Sequence, residues 1–124
     1  MKNLLLCWCL LMTAFTTTVS ADESQVRHIV VFKYKDGADP SEIERINQAF
    51  SQLPEKIPGI LSFEMGVNNS PEGLNKGFTH VYQLTFTDVA AREAYLPHPD
   101  HKRFTDLLGE LDILDDVFVV DYAF

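Results

Sequence analysis

A short segment with two prolines holds two of the four histidines and one of the four tyrosines of this 124-residue chain, side chains that can transfer protons. It reads Tyr95-Leu96-Pro97-His98-Pro99-Asp100-His101, with one phenol and two imidazoles. Each proline fixes its own φ angle and biases the residue before it toward extended backbone, so the segment is stiff and non-helical. Proline is well tolerated in the first turn of a helix, and Pro99 therefore predicts the start of one. We call this segment, residues 95–101, the proline corner.

The side chains of the proline corner suit acid–base chemistry. An imidazole with a pKa near about 6.5 accepts a proton at neutral pH, and a phenol with a pKa of about 10 donates a hydrogen bond to a developing oxyanion. Such a pair suits enolisation, aldol-type ring closure or decarboxylation, and these reactions need no cofactor. His98 and His101 also have the spacing of metal ligands, with Asp100 or Glu93 as a further oxygen donor. No third ligand stands at motif spacing, and we assign no metal.

The remaining two histidines fall on predicted strands. Residues 26–35 alternate so that His28 shares a face with Phe32, and residues 78–87 alternate so that His80 shares a face with Phe86. Residues 60–67 form another alternating strand, in which Phe63 lies on the apolar face, and residues 113–122 form the last one. These histidines and phenylalanines are the predicted lining of a ligand pocket between helices and sheet, together with His98.

Two helical segments separate the strands. Asp39-Pro40 is an N-cap followed by proline, and the apolar stripe from Ile43 to Leu53 predicts a helix that Pro54 and Pro58-Gly59 end. Asp88 is the predicted N-cap of the second helical segment, residues 88–111, which is broken at the proline corner. The order βαββαβ predicts a ferredoxin-like α+β sandwich with one antiparallel sheet. Its first and third strands are central neighbours, so we expect His28 and His80 to lie close together beneath the helices.

The opposite face of the sheet is too apolar to face water. It carries Ile29, Val31, Val81 and Thr85, and an exposed apolar sheet face usually marks an interface. We therefore expect two protomers to pack sheet against sheet in a homodimer.

Residues 1–21 have the features of a secretory signal peptide. A basic start precedes the apolar run from Leu4 to Phe15, and Val19-Ser20-Ala21 supplies small residues for cleavage. Cleavage predicts a secreted or periplasmic domain at 22–124 with no membrane attachment. That domain would lack both cysteines, which excludes a thiol nucleophile, and would hold nine basic and eighteen acidic residues, a net charge of −9. An acidic surface argues against nucleic-acid binding.

Three segments together resemble the stress-responsive dimeric A/B barrel (Dabb) family, over residues 26–124. They are the first strand from Val26 to Lys33, the turn from Gly77 to His80, and the proline corner, which is the most specific of the three. The resemblance implies a ferredoxin-like protomer and a homodimer whose sheets form a barrel. Plant polyketide-cyclase members use a Tyr and a His of the corner as catalytic pair, which implies Tyr95 and His101 here. The pocket histidines of such members match His28, His80 and His98.

Three interpretations of function remain open. The first is a pocket that binds a small apolar or aromatic molecule, and the second is a cofactor-independent cyclase-like or lyase-like enzyme that uses Tyr95 and His101. In the third, the histidines are satisfied core residues and the domain is a structural, stress-protective dimer. Clustered titratable groups mark sites only statistically, so they do not separate these interpretations.

Overall fold

The computed structural model describes residues 24–124, and the predicted signal peptide at 1–21 lies outside them. Four strands and four helices make up the described part of the chain. They are β1 (Val26–Tyr34), α1 (Pro40–Ser51), α2 (Leu53–Lys56), β2 (Ile60–Val67), β3 (His80–Phe86), α3 (Val89–Tyr95), α4 (Pro99–Leu111) and β4 (Leu114–Ala123). This is the predicted βαββαβ order, and the fold is ferredoxin-like α+β. Within residues 24–124, every helix is too short or too polar to span a bilayer.

The helices begin where their capping residues predict. The Asp39 carboxylate accepts the backbone N–H of Ser41 at 2.8 Å at the start of α1, and the Asp88 carboxylate accepts that of Ala91 at 2.7 Å at the start of α3. Such caps satisfy N–H groups that have no partner within the helix. The first helix ends slightly before the expected position at Pro54, and the helical segment as a whole ends before Pro58-Gly59 as predicted. Helix α1 already ends at Ser51, and Pro54 lies in the first turn of α2, where a missing N–H costs nothing.

The sheet is antiparallel with the order β2-β3-β1-β4, so the first and third strands are central neighbours as predicted. Their register separates the two strand histidines, however. His28 pairs with Leu84, whereas His80 pairs with Phe32, four positions further along β1. At about 3.3 Å per residue this is roughly 13 Å along the strand. The expectation that His28 and His80 lie close together is therefore wrong, although both side chains point to the helix side.

The core lies between the helices and one face of the sheet. Its buried side chains include Phe32 of β1, Phe50 of α1, Tyr82 of β3 and Phe104 of α4. The opposite face has no helix over it in the described chain. There Phe118, Val120 and Tyr122 of β4 are 46%, 49% and 50% exposed.

Phe78 belongs to that open face rather than to the core. Strand β3 begins at His80, two residues later than the alternation predicts, and Phe78 precedes it in a turn. Its ring packs edge-on against Phe118, with centroids 5.1 Å apart.

Candidate functional site

A largely apolar cavity of about 410 Å³ lies between helix α4 and the β1–β4 half of the sheet. Three of the side chains around it can exchange protons: His28 of β1, Tyr95 at the end of α3 and His101 in the first turn of α4. The other lining residues are Val30, Phe32, Phe50, Leu96, Phe104, Thr105, Leu108, Leu114, Val117 and Val119. The proline corner and β1 therefore meet at one hollow, as the sequence predicts for His28, Tyr95 and His101.

The Tyr95 hydroxyl is buried and has no hydrogen-bond partner among residues 24–124. Its ring lies between those of His28, Phe86 and His101, at centroid distances of 5.8, 5.0 and 4.2 Å. Burial raises the pKa of Tyr95 well above its ordinary value, because the phenolate would be poorly solvated there. The hydroxyl thus keeps its proton at neutral pH and remains a hydrogen-bond donor, on a side chain that lines the cavity.

A backbone contact of His101 determines which nitrogen of its neutral ring carries the proton. Its Nδ1 lies 2.9 Å from the carbonyl oxygen of Leu96, which can only accept, so Nδ1 donates. In the neutral ring Nε2 is then the acceptor nitrogen. Burial lowers the pKa of His101, the nearby imidazoles of His28 and His98 lower it further, and the Leu96 contact partly opposes them. A neutral ring at physiological pH is a possible general base.

His28 is held by a carboxylate that the sequence did not identify. Its Nδ1 lies 2.7 Å from Oδ1 of Asp121 on β4, and the other carboxylate oxygen accepts a hydrogen bond from Arg92 of α3 at 3.0 Å. A carboxylate orienting a histidine in this way fixes which ring nitrogen carries the proton. The signal was present in the sequence, because Asp121 is an acidic residue at a position that alternates with Val117 and Val119.

The structure does not bring His80 or His98 to the cavity. His80 is the first residue of β3 and lies beside the end of β1 that is remote from His28. Its ring contacts that of Tyr34 edge-on at 4.8 Å, and its Nδ1 lies 2.8 Å from the Thr79 hydroxyl. His98 is the N-cap of α4, and its Nδ1 accepts the backbone N–H of Asp100 at 3.1 Å. A side chain that serves as a cap is turned toward its own backbone, so the predicted pocket positions of both histidines are wrong.

Only one of the three predicted aromatic lining residues is on the cavity wall. Phe32 lines it, whereas Phe86 lies behind His28 and Tyr95, with the His28 ring centroid 6.0 Å away. Phe63 packs on Phe50 at 5.4 Å, away from the cavity, because β2 is an edge strand on the other side of β3. Among residues 24–124 no group of three or more His, Cys, Asp or Glu side chains is arranged to hold a metal ion.

A second polar cluster replaces the expected pair of strand histidines. The Tyr82 hydroxyl donates to Oδ1 of Asn47 at 2.7 Å and lies 2.9 Å from the Tyr34 hydroxyl. Burial raises the pKa values of both tyrosines, so these groups stay protonated. The hydroxyls of this cluster bond to one another and to Asn47, whereas the Tyr95 hydroxyl has no partner among the described residues.

Comparison with known proteins matches residues 26–124 to the model of the stress responsive A/B barrel domain, Dabb. A stress-response A/B barrel domain-containing protein of Arabidopsis thaliana, HS1, is 34% identical over 97 residues, which cover 78% of this chain and 87% of that protein. Olivetolic acid cyclase of Cannabis sativa is 28% identical over 98 residues, 79% of this chain and 95% of that protein.

Solved structures give the same fold. The hydroxynitrile lyase from Passiflora edulis superposes with a TM-score of 0.74 at 26% identity, over 84% of this chain and 95% of that one. A dimeric ferredoxin-like protein of unknown function from Bacteroides fragilis superposes with a TM-score of 0.64 at 27% identity, over 84% of this chain and all of that one. The similar proteins thus include a cyclase, a lyase and a dimer of unknown function.

Proposed function

This chain belongs to the stress responsive A/B barrel domain family, and from that premise we propose that it binds a small apolar or aromatic molecule bearing a carbonyl-type oxygen. The site is the cavity lined by His28, Tyr95 and His101. Its volume of about 410 Å³ falls in the usual range of small-molecule sites, about 300–1,000 Å³. Apart from these three side chains and Thr105, the lining is aliphatic or phenyl, which favours an apolar ligand body.

The unpartnered hydroxyl of Tyr95 is the observation that carries this proposal. A buried donor without an acceptor costs about 1–3 kcal/mol, and proteins seldom retain one without a use. The hydroxyls of Thr105 and Tyr82 are bonded within the protein, so they are not available to a ligand in the same way. An acceptor oxygen on a bound molecule would satisfy Tyr95 and orient the ligand.

Two probes of nearly equal shape test the binding proposal. Acetophenone carries the acceptor oxygen, and ethylbenzene lacks it. We expect the wild-type protein to bind acetophenone about fivefold to tenfold more tightly in an NMR titration, the worth of about one net hydrogen bond. In Tyr95→Phe the two affinities should become equal. Leu108→Trp, which fills the cavity, is the control and should weaken both. Equal affinities in the wild type, or no binding of either probe, would reject the proposal.

A second candidate is a cofactor-independent carbonyl reaction in the same cavity. The ring of His101 lies 4.2 Å from that of Tyr95, its Nδ1 bonds to Leu96, and its Nε2 is the acceptor nitrogen. In this proposal Nε2 of His101 takes a proton from the carbon beside a carbonyl, while the Tyr95 hydroxyl donates a hydrogen bond to the oxygen as negative charge develops. The enolate then closes a ring or is reprotonated. That the similar proteins include a cyclase and a hydroxynitrile lyase supports this class of chemistry.

Deuterium exchange tests the catalytic candidate without knowledge of the product. In D₂O, enolisation replaces the methyl protons of acetophenone by deuterium, which NMR follows directly. We expect wild-type protein to accelerate the exchange, and His101→Gln and Tyr95→Phe each to lower the rate at least about tenfold, since general acid–base groups contribute about 10²–10⁴. Binding without exchange would reject catalysis and leave the binding proposal intact. A protein that neither binds nor exchanges would fit the structural, stress-protective alternative.

We propose further that the domain is a homodimer through its open sheet face. The half-exposed side chains of Phe118, Val120 and Tyr122 support this, as does the fact that similar structures are dimeric. Export through cleavage after Ala21, giving a secreted or periplasmic domain of residues 22–124, is also a proposal. The intact mass of the protein from its native source tests it, because an uncleaved chain would retain residues 1–21.

A further inference from the structure

His28 is the one proton-exchanging side chain of the cavity that the proposed reaction leaves without a task. Only 6% of it is exposed, and its ring contacts Phe86 and Tyr95. Its Nδ1 faces the Asp121 carboxylate at 2.7 Å, and because a carboxylate only accepts, Nδ1 carries the proton. In the neutral form of the ring, the Nε2 lone pair lies on the side away from Asp121.

Arg92 binds the oxygen of Asp121 that His28 does not use. Its Nη1 donates to Oδ2 of Asp121 at 3.0 Å, and its Nη2 donates to Glu93 at 2.9 Å. The planar guanidinium can hold two carboxylates in a fixed geometry, which a single ammonium group cannot do. Asp121 is thus fixed from both sides, with about four-fifths of its side chain buried.

The same contact joins two parts of the cavity. Arg92 and Tyr95 are three positions apart on α3, so they lie on neighbouring turns of one helix face. Asp121 is on β4, which pairs with β1 so that Asp121 lies opposite His28. Through Arg92 the helix that carries the Tyr95 donor is therefore tied to the strand that orients the His28 acceptor.

We propose that Arg92 is a positioning residue for the cavity: by clamping Asp121 it holds His28 in the Nδ1–H tautomer, with Nε2 as a fixed hydrogen-bond acceptor for a ligand. Without the clamp, the carboxylate can rotate, and the imidazole is then free to exchange tautomers. Tyr95 supplies a donor and His28 an acceptor. The consequence for the ligand rests on the proposed binding function. The preferred molecule has a hydroxyl group near its carbonyl oxygen.

Nitrogen-15 NMR of the full-length, ligand-free protein above pH 8 reads the tautomer directly. The wild type should show His28 with a protonated Nδ1 and an unprotonated Nε2. In Arg92→Met the two nitrogen shifts should move toward each other, as they do when tautomers exchange. Arg92→Lys keeps the positive charge but lacks the planar guanidinium with its two donor nitrogens, so its His28 nitrogen shifts should lie between those of the wild type and Arg92→Met. The His101 signals should not change in either variant, since the Leu96 carbonyl holds that ring.

Two control variants separate the clamp from a general loss of charge. Glu93→Gln removes the other partner of Arg92, and Arg103→Met removes an exposed arginine that pairs with Asp100 instead. Both should leave the His28 tautomer as in the wild type. If Arg92→Met does not fold, Arg92→Lys decides the question. A wild-type tautomer in the folded Lys variant would then overturn the proposal, as would a wild-type protein that carries the His28 proton on Nε2.

The ligand consequence has a separate readout. 2-Hydroxyacetophenone differs from acetophenone by one hydroxyl, and the wild type should bind it severalfold more tightly. Arg92→Met should lose that preference while keeping the preference for acetophenone over ethylbenzene, which depends on Tyr95. If no probe binds but the tautomer responds to Arg92 as expected, the binding function fails and the positioning role stands. A hydroxyl preference that survives in Arg92→Met contradicts the role assigned to the clamp.

Discussion

Removing the hydroxyl of Tyr95 should make the ligand-free protein more stable, although the residue is fully buried. The chain offers a matched comparison, because Tyr95 and Tyr82 are both 0% exposed and differ in their hydrogen bonds. The Tyr82 hydroxyl bonds to Asn47 and Tyr34, whereas that of Tyr95 has no partner in the described part of the chain. Burial of an unsatisfied hydroxyl costs about 1–3 kcal/mol, and that cost disappears in Tyr95→Phe.

We take about 1 kcal/mol as the expected gain for Tyr95→Phe, the lower end of the range, because the side chain lines a cavity. For a domain of about 100 residues this raises the melting temperature by about 4–8 °C. Tyr82→Phe should lower the unfolding free energy by about 1–3 kcal/mol, since it leaves the Asn47 acceptor unpaired. Gains in stability at the expense of function are common where a residue serves a ligand.

Urea unfolding and thermal melts of the two variants and the wild type measure both effects at pH 7.5. The critical result is that the unfolding free energy rises in Tyr95→Phe and falls in Tyr82→Phe. A loss of 1 kcal/mol or more in Tyr95→Phe would show that the hydroxyl is satisfied in the folded protein, and the reasoning for the ligand site would be refuted. An unchanged stability in Tyr82→Phe would show that the tyrosine cluster contributes nothing net.

The remaining predictions concern pH, a helix cap and the dimer. Burial lowers the pKa of both His101 and His80, so these side chains bind protons more readily in the unfolded chain than in the folded protein. The unfolding free energy should therefore fall as the pH drops from about 6.5 toward the folded pKa values. Urea unfolding at several pH values measures this fall, which should be smaller in His101→Gln and in His80→Gln. Asp88→Ala removes the cap of α3 and should cost about 1 kcal/mol in the same assay, whereas Asp88→Asn should restore most of it. Phe118→Asp places a charge on the open sheet face and should convert a dimer into a monomer in sedimentation velocity; a wild-type monomer, or an unchanged dimer in the variant, would contradict the proposed interface.

Much of the fold could be predicted from local patterns. The alternation of β1 and β3 placed His28 and His80 on the helix side, and Asp39, Asp88 and Pro99 marked helix starts that the structure confirms. These signals are local because a cap, a proline or a period of two acts within a few residues. Family membership and the ferredoxin-like topology were also recognisable from the strand pattern and the proline corner.

The composition of the site depended on contacts between distant segments. Alternation tells which face of a strand a side chain occupies but not which residue it meets on the next strand, and the β1–β3 register moved His80 away from His28. The Arg92–Asp121–His28 arrangement joins α3, β4 and β1, and no spacing within one segment predicts it.

The sequence by itself determined the order of the strands and main helices and the face that most strand residues occupy, whereas the signal peptide at residues 1–21 stays a prediction. Only the tertiary structure decided which of four histidines share a cavity, which ring nitrogen of His28 and His101 faces an acceptor oxygen, and that the Tyr95 hydroxyl has no partner within residues 24–124. The physical reason is that each of these facts depends on long-range pairing and on the direction of a hydrogen bond. Both are set by the packing of whole elements and not by the residues beside them in the chain.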